Sequence, residues 1–298
     1  MKAVQYAAFG GPEVLQFVDV PEPQAGASQV RITVRAVGIN PFDWKLRSGV
    51  IGGELPRGTG VEAAGIVDEL GDGVTGVGVG DRVFGSATNA AAEQALLSHF
   101  AVMPHELGFT AAAALPVAVE TATRCLDLLG VSEGQTLLIN GASGGVGLAA
   151  VQLARGRGAR VIGSGGPSSQ ERLRSFGAEP VVYGEGLAGQ VSELAPDGVD
   201  VAIDMALSGG VATLVKLAGG PANVVAIADF EGAKEYGVQT TGGGMDSAWH
   251  ALDDVVALID AGAFSLPVAR VLPLSQIAEA HRLSEIGHPG GKIVLTVD

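Results

Sequence analysis

The chain changes rhythm along its length. From residue 1 to about 118, the β-type runs KAVQYA, EVLQFVDV, QVRITVRAVGI, EAAGIVDEL and DRVFG are broken by GGP, PEPQAGAS and GDGVTGVGVGD. Alternating apolar and polar positions with frequent turn residues predict a mostly antiparallel, β-rich domain. HELGFTAAAALPVAVETATRCLDLLG then turns helical. Beyond it, QTLLIN, ARVIGS, EPVVY, VDVAID and NVVAIA are apolar runs of strand length, each following a segment of helix-like spacing. Strands covered on both faces read this way, so the pattern predicts repeated βα units around a parallel sheet. MDSAWHALDDVVALIDAG carries its apolar positions on one stripe, with Gly262 just past its end, and predicts a closing helix. The tail FSLPVARVLPLSQIAEAHRLSEIGHPGGKIVLTVD adds two strand-like runs and a short helix, which can return to finish the first domain.

Composition narrows the class. The 298 residues suffice for one large or two ordinary domains, and 47% hydrophobic with 17% charged residues is a globular balance. No apolar run reaches the ~18 residues of a membrane span, and MKAVQYAAFG lacks a signal peptide's apolar region, so a cytoplasmic protein is expected. The single cysteine, Cys125, has no partner for an internal disulfide, and its helical neighbourhood TATRCLDLL marks it as a core thiol. A formal net charge of -14 is spread through the chain. That field opposes binding to nucleic acid or to an anionic membrane, so an anionic ligand must be held by local donors.

Such donors are offered by NGASGGVG at residues 140–147. Glycine inside regular structure costs roughly 0.5–1 kcal/mol relative to alanine, so a cluster of four implies close backbone approach to another helix, a tight turn or a phosphate. The context is strand QTLLIN, loop GASGG, helix VGLAAVQLARGRG and strand ARVIGS. In that setting backbone amides and a helix N-terminus face a pyrophosphate, and Gly141, Ala142, Ser143, Gly144, Gly145 and Val146 would line it. Against G-x-G-x-x-G the aligned residues are Ala142, Gly144 and Gly147, with Gly141 displaced by one. No G-K-[ST] follows, which excludes a P-loop.

The nucleotide is read from the end of the second strand. A site for NAD places Asp or Glu there to accept from the ribose 2′-hydroxyl. Here ARVIGSGGPSSQERLR offers Ser164 and Gly165, and the first acid, Glu171, lies in the next helix. Without a carboxylate to repel a 2′-phosphate, and with Ser164, Ser168, Ser169, Arg172 and Arg174 as donors, NADPH is the expected cofactor. Tyr183, closing EPVVY, either adds a hydroxyl to that phosphate or packs beside it.

VRAVGINPFDWKLRSG, LPRGTGVEAAGIVDELGDGV, GDRVFG, AALPVAVETA, GASGGVG, RSFGAEPVVY and HPGGKIVLTV occur here in a fixed order. In this ordered set the chain resembles the medium-chain dehydrogenase/reductase superfamily, specifically its zinc-independent quinone oxidoreductase branch. The resemblance implies a GroES-like substrate domain, residues 1–118 and 263–298, around an inserted Rossmann domain, residues 119–262. The implied fold class is α/β, a doubly wound parallel sheet beside a β-rich domain. Zinc-dependent relatives carry metal ligands in the segment that reads NPFD here and before the glutamate of GVE, where this chain has Asn40, Pro41 and Val61. No metal is therefore expected. Without a Lewis acid, the expected acceptors are quinones and α,β-unsaturated carbonyls, which delocalise the arriving charge.

The resemblance also nominates residues. Asn40, an amide donor matching a family asparagine beside the nicotinamide, is the leading catalytic candidate; its alternative is a turn residue before Pro41. Asp43 either relays a proton or caps the turn into WKLRSG. Thr121, Ile227 and Leu266 match positions near the nicotinamide, with a helix-interior hydroxyl the alternative for Thr121 and core packing for the other two; Lys292 either approaches the cofactor phosphates or lies at the surface, and Glu62 and Asp204 have structural alternatives. A homodimer is expected, as relatives commonly form. A short-chain reductase is excluded because no lysine stands four residues beyond Tyr6, Tyr183 or Tyr236. An enoyl or enone reductase and a non-catalytic NADPH-binding protein stay open. The segment ADFEGAKEYGVQTTGGGMD is expected to border the acceptor.

Overall fold

A computed structural model describes residues 1–242, 244, 247–287 and 290–298. Its contacts divide the chain into two units, Met1–Val117 with Trp249–Asp298, and Ala118–Ala248.

The first unit opens with β1 (Lys2–Tyr6), β2 (Gln16–Asp19), β3 (Val30–Ile39), helix α1 (Pro41–Arg47), β4 (Arg57–Gly58), β5 (Glu62–Leu70), β6 (Arg82–Thr88), β7 (Gln94–Val102) and α2 (Phe109–Ala112). EVLQFVDV is not one strand: Pro12 opens a 3-10 turn over Pro12–Val14, and only Gln16–Asp19 extends. β3 pairs antiparallel with both β5 (Val30 with Leu70) and β7 (Val30 with Leu97), and β6 bridges β5 and β7. These four strands close on themselves, which removes the exposed edges an open sheet would leave. Val30, Ile32, Val34, Val67, Val83 and Leu97 fill the interior, the inward set of the alternating pattern.

The second unit follows helix α3 (Pro116–Leu128) with β8 (Thr136–Asn140), α4 (Gly145–Gly156), β9 (Arg160–Gly165), α5 (Gln170–Ser175), β10 (Glu179–Val182), α6 (Leu187–Leu194), β11 (Val201–Asp204), α7 (Val211–Leu217), β12 (Val224–Ala226), α8 (Phe230–Tyr236) and β13 (Gln239–Thr240). The sheet order is β10-β9-β8-β11-β12-β13, parallel throughout. All five expected strands form, and β13 is a short sixth without an apolar run to announce it. The chain winds outward in both directions from β8, so a crevice opens where β8, β9 and β11 end, the switch point at which such sheets bind ligands. Register sets Asn140 against Asp204 there.

The closing segment supplies α9 (Ala251–Asp260), β14 (Val268–Pro273), α10 (Ile277–Ile286) and β15 (Lys292–Thr296). β15 pairs antiparallel with β3 and parallel with β14, so the tail completes the first sheet. Residues 249–262 also group with this unit rather than with the inserted one, 14 residues before the boundary that the sequence suggests. The stripe on α9 packs on β7, and Trp249 stacks on His99 with ring centroids 5.4 Å apart. An amphipathic stripe announces a helix but not the sheet that will cover it. Met245 and Asp246, where that helix was expected to begin, lie outside the described residues. So do Gly243 of the acceptor-bordering segment and His288 and Pro289 of HPGG.

Candidate functional site

The glycines of the β8–α4 loop have separate jobs. Gly141 turns the chain at φ +85°, in the left-handed region that favours glycine. Gly147 lies where α4 packs on the loop that precedes it: an added Cβ would fall 2.4 Å from Gly141 O and 2.6 Å from Ala142 backbone atoms. Gly144, the N-cap of α4, faces open space, since the nearest atom to an added Cβ is Gly141 O at 3.7 Å. A turn, an open approach and close packing under the helix are what a dinucleotide loop asks of its glycines. The first amides of α4 have no carbonyl within the helix to bond, and they carry the positive end of its dipole. The residues present therefore fit a pyrophosphate.

A buried polar network lies beneath the loop. Asn140 donates from Nδ2 to Asp204 Oδ1 (2.7 Å) and Ser208 Oγ (3.0 Å), and its Oδ1 accepts from Ser164 Oγ at 2.7 Å. Ser164 Oγ in turn accepts from Gly141 N at 3.1 Å. Fully buried with donor and acceptor both engaged, Ser164 braces the loop and does not face a 2′-phosphate as the sequence suggests. Ser169 is likewise buried, donating to Gly166 O at 2.8 Å. Burial pushes the Asp204 carboxyl up to about 6 against the opposing pull of the Asn140 amide. Sequence reading missed Asn140; a polar residue ending an apolar strand was its signal.

Around the end of β9, Ser168, Arg174 and Tyr183 are exposed and Arg172 is half-buried. Arg172 places Nη2 3.3 Å from Ser143 O. Tyr183 is 46% exposed beside Gly166. Glu171 points into solvent on α5. Elsewhere in this unit, Thr121 Oγ1 lies 3.2 Å from Glu120 Oε2, and the buried Glu120–Arg124 pair (2.7 Å) is bonded to Ala248 N and Thr241 Oγ1. Ile227 is half-buried, its amide donating to Asp204 O.

The first unit holds a second polar cluster, buried throughout. Asn40 follows β3 and is the N-cap residue of α1. Its Nδ2 donates to Glu62 Oε1 at 2.7 Å, and its Oδ1 accepts from Lys292 Nζ at 2.5 Å. Lys292 also reaches Glu62 Oε1 at 2.6 Å, while Glu62 Oε2 accepts from Val117 N at 2.8 Å. Lys292 is 6% exposed, and two of its three donors are occupied here, not at a phosphate as the sequence suggests. Asp43 accepts from Asn40 N (2.8 Å) and Gly60 N (3.2 Å), which makes it a clamp on the α1 turn. Burial pushes its carboxyl up to about 6, with the Glu62 charge adding to the rise. Leu266 is buried in this same unit. Glu62 is the residue whose importance sequence reading understated; an acid opening the apolar run EAAGIV was the clue.

Comparison with known proteins places the chain. The Alcohol dehydrogenase GroES-like domain matches residues 26–128, and the Zinc-binding dehydrogenase family matches residues 176–295. The quinone oxidoreductase of Rattus norvegicus is 36% identical over 231 residues, which cover 73% of this chain and 70% of that protein. The chain belongs to the medium-chain dehydrogenase/reductase superfamily, in its quinone oxidoreductase branch. A stretch of the spectinabilin polyketide synthase system protein NorB of Streptomyces orinoci is 41% identical over 58% of this chain, which spans only 8% of NorB. A mycobacterial structure complexed with NADPH superposes with a TM-score of 0.85 at 27% identity, covering 100% of both chains.

A zinc ion, which the matched family's name implies, does not fit the first unit's cluster. The oxygens that would ligate it, Asn40 Oδ1 and Glu62 Oε1, already accept from the Lys292 ammonium. Among the described residues, no group of three or more His, Cys, Asp and Glu side chains is placed to hold a metal.

Proposed function

We propose that this member of the superfamily is an NADPH-dependent oxidoreductase that delivers hydride to a quinone or another conjugated carbonyl without a catalytic metal. The observation that carries the cofactor half is the end of β9. There Ser168, Arg174 and Tyr183 are exposed hydroxyl and guanidinium donors, Arg172 is half-buried beside the glycine loop, and β9 ends on Ser164 and Gly165 rather than on a carboxylate that would oppose a 2′-phosphate, the first acid being Glu171 on α5. The glycine loop binds the pyrophosphate through main-chain amides, and the Asn140–Ser164 bridge keeps Gly141 in its turn. The bound nucleotide supplies the hydride. Thr121, Ile227 and Leu266 are assigned to its nicotinamide on resemblance alone.

On the acceptor side Asn40 donates an amide hydrogen to the carbonyl oxygen on which charge develops. A conjugated acceptor spreads that charge, so the demand on one neutral donor is modest. Protonation comes from solvent, since both Asp43 oxygens are held by main-chain amides. An enone is the second acceptor class, because its conjugated carbonyl spreads the arriving charge as a quinone does. A homodimer in the cytoplasm is part of the same reading.

Loss of NADPH absorbance with a panel of benzoquinones, naphthoquinones, enones and simple ketones tests the proposal. Consumption with quinones or enones and none with simple ketones is expected, with NADH a poorer donor. Tight NADPH binding without turnover of any acceptor would leave the non-catalytic alternative standing.

A further inference from the structure

We propose that Lys292 and Glu62 are positioning residues for Asn40, fixing its amide in one of two orientations and polarising the single N–H it has left for an acceptor oxygen. The inference rests on the hydride-transfer reading for its catalytic meaning, and on geometry alone for its structural content.

Register brings the three together. Ile293 of β15 pairs with Ile39 of β3, so the residue before one lies across from the residue after the other, and these are Lys292 and Asn40. Glu62 opens β5, which pairs with the opposite side of β3. Its carboxylate has no freedom to swing. Oε2 is held by Val117 N at 2.8 Å, and Gly38 leaves no room for a Cβ beside Oε1. One fixed anion and one fixed cation therefore flank the amide.

A terminal amide can sit in either of two flipped states of nearly equal shape, distinguished only by its partners. Here the choice is settled by charge. With Oδ1 on the Lys292 ammonium (2.5 Å) and Nδ2 on Glu62 (2.7 Å), both contacts are attractive. The flipped state sets oxygen against carboxylate and N–H against ammonium, repulsive on both sides in a site 4% exposed. Asn40 Nδ2 carries two hydrogens and Glu62 takes one, so the other remains. An ammonium on the amide oxygen draws density from nitrogen and makes that hydrogen a stronger donor. Lys292 thereby acts through Asn40 on a developing oxyanion.

Three variants of the full chain, Lys292→Met, Lys292→Arg and Lys292→Met combined with Glu62→Gln, are compared with wild type in two arms. The first records the Asn40 side-chain amide by 15N NMR, assigned with Asn40→Asp. Wild type shows two proton shifts separated more widely than in an unbonded asparagine amide, with slowed exchange, and Lys292→Met narrows the separation and speeds exchange, whatever the turnover. The second arm measures NADPH affinity by fluorescence and turnover of a naphthoquinone. Lys292→Met lowers kcat roughly 10-fold to 100-fold with NADPH affinity within about twofold, and Lys292→Arg recovers most of the loss. In an Asn40→Ala background, Lys292→Met then costs less than about threefold, because the two act as a unit. Should Lys292→Met fail to fold, the paired variant, which removes both charges, carries the same comparison. The proposal is overturned if the Asn40 amide is indifferent to Lys292, or if the substitution weakens NADPH binding while turnover of the bound complex is unchanged. Absence of turnover in wild type would defeat the hydride reading alone, and the NMR arm would still decide the positioning.

Discussion

Alanine at Gly144 and alanine at Gly147 separate what the glycine loop does for folding from what it does for a ligand. At Gly147 the new Cβ would fall within 2.6 Å of the Ala142 backbone, against an ordinary contact near ~3.4 Å or more, so α4 must move by the better part of an ångström. Overpacking of that kind costs about 1–3 kcal/mol, and here the colliding atoms are main chain and cannot rotate away. At Gly144 φ is -80°, a conformation open to any residue, and the nearest atom would be 3.7 Å away. The alanine loses roughly 0.5–1 kcal/mol as an N-cap and regains about 0.4–1 kcal/mol from a stiffer unfolded chain, so stability stays within about 0.5 kcal/mol. If a pyrophosphate lies over Gly144, that same methyl stands in its path. Urea unfolding with nucleotide-free protein and fluorescence titration with NADPH measure the two quantities. Gly147→Ala should lower the unfolding free energy by about 2 kcal/mol. Gly144→Ala should leave it unchanged and weaken NADPH at least about tenfold, a difference of roughly 1.4 kcal/mol. A Gly144→Ala variant that binds NADPH like wild type would refute the assignment of the loop.

Three further outcomes are expected. Ser164→Ala strips a partner from both Gly141 N and buried Asn140 Oδ1, and should lower stability by about 1–3 kcal/mol in urea unfolding, a loss that an exposed phosphate ligand would not show. Burial, with the Arg47 charge beside it, pushes the His281 ring down to about 3, and neither nitrogen has a partner. The unfolded ring takes up a proton near pH 6.5 and the folded one does not, so stability falls as pH drops below that value; between pH 7 and pH 5 wild type should lose roughly 2 kcal/mol relative to His281→Leu. Burial pushes the Cys125 thiol from 9.0 up to about 12, so the folded chain should alkylate on the order of a thousandfold more slowly than the denatured chain at pH 8.5, read by mass spectrometry.

What was legible in the sequence was local. Period-two alternation marked the strands of the first unit, apolar runs marked the covered strands of the second, and GASGGVG was legible as a loop between strand and helix because both are its neighbours in the chain. Pairing at a distance was not legible. Ser164 ends a strand where a ribose or phosphate contact is the natural expectation, yet its hydroxyl is drawn inward by Asn140, 24 residues earlier. Lys292 sits in a glycine-rich turn that suggests exposure, and only the pairing of β15 with β3 sets it on Glu62, 230 residues away. Asp43 was open between relay and clamp until Gly60, 17 residues on, was found donating to its second oxygen. In each case a partner on another element fixes where the side chain is held.

The proposed function requires that main-chain amides hold a phosphorylated nicotinamide nucleotide whose hydride goes to a conjugated carbonyl with no metal ion. It is tested most directly by single-turnover oxidation of bound NADPH with a naphthoquinone in chelator-treated protein, using C4-deuterated and ordinary cofactor side by side. Oxidation that survives the chelator and slows with deuterium is the result expected. No oxidation above the protein-free rate, or activity that vanishes with chelator and returns with added zinc, would contradict it.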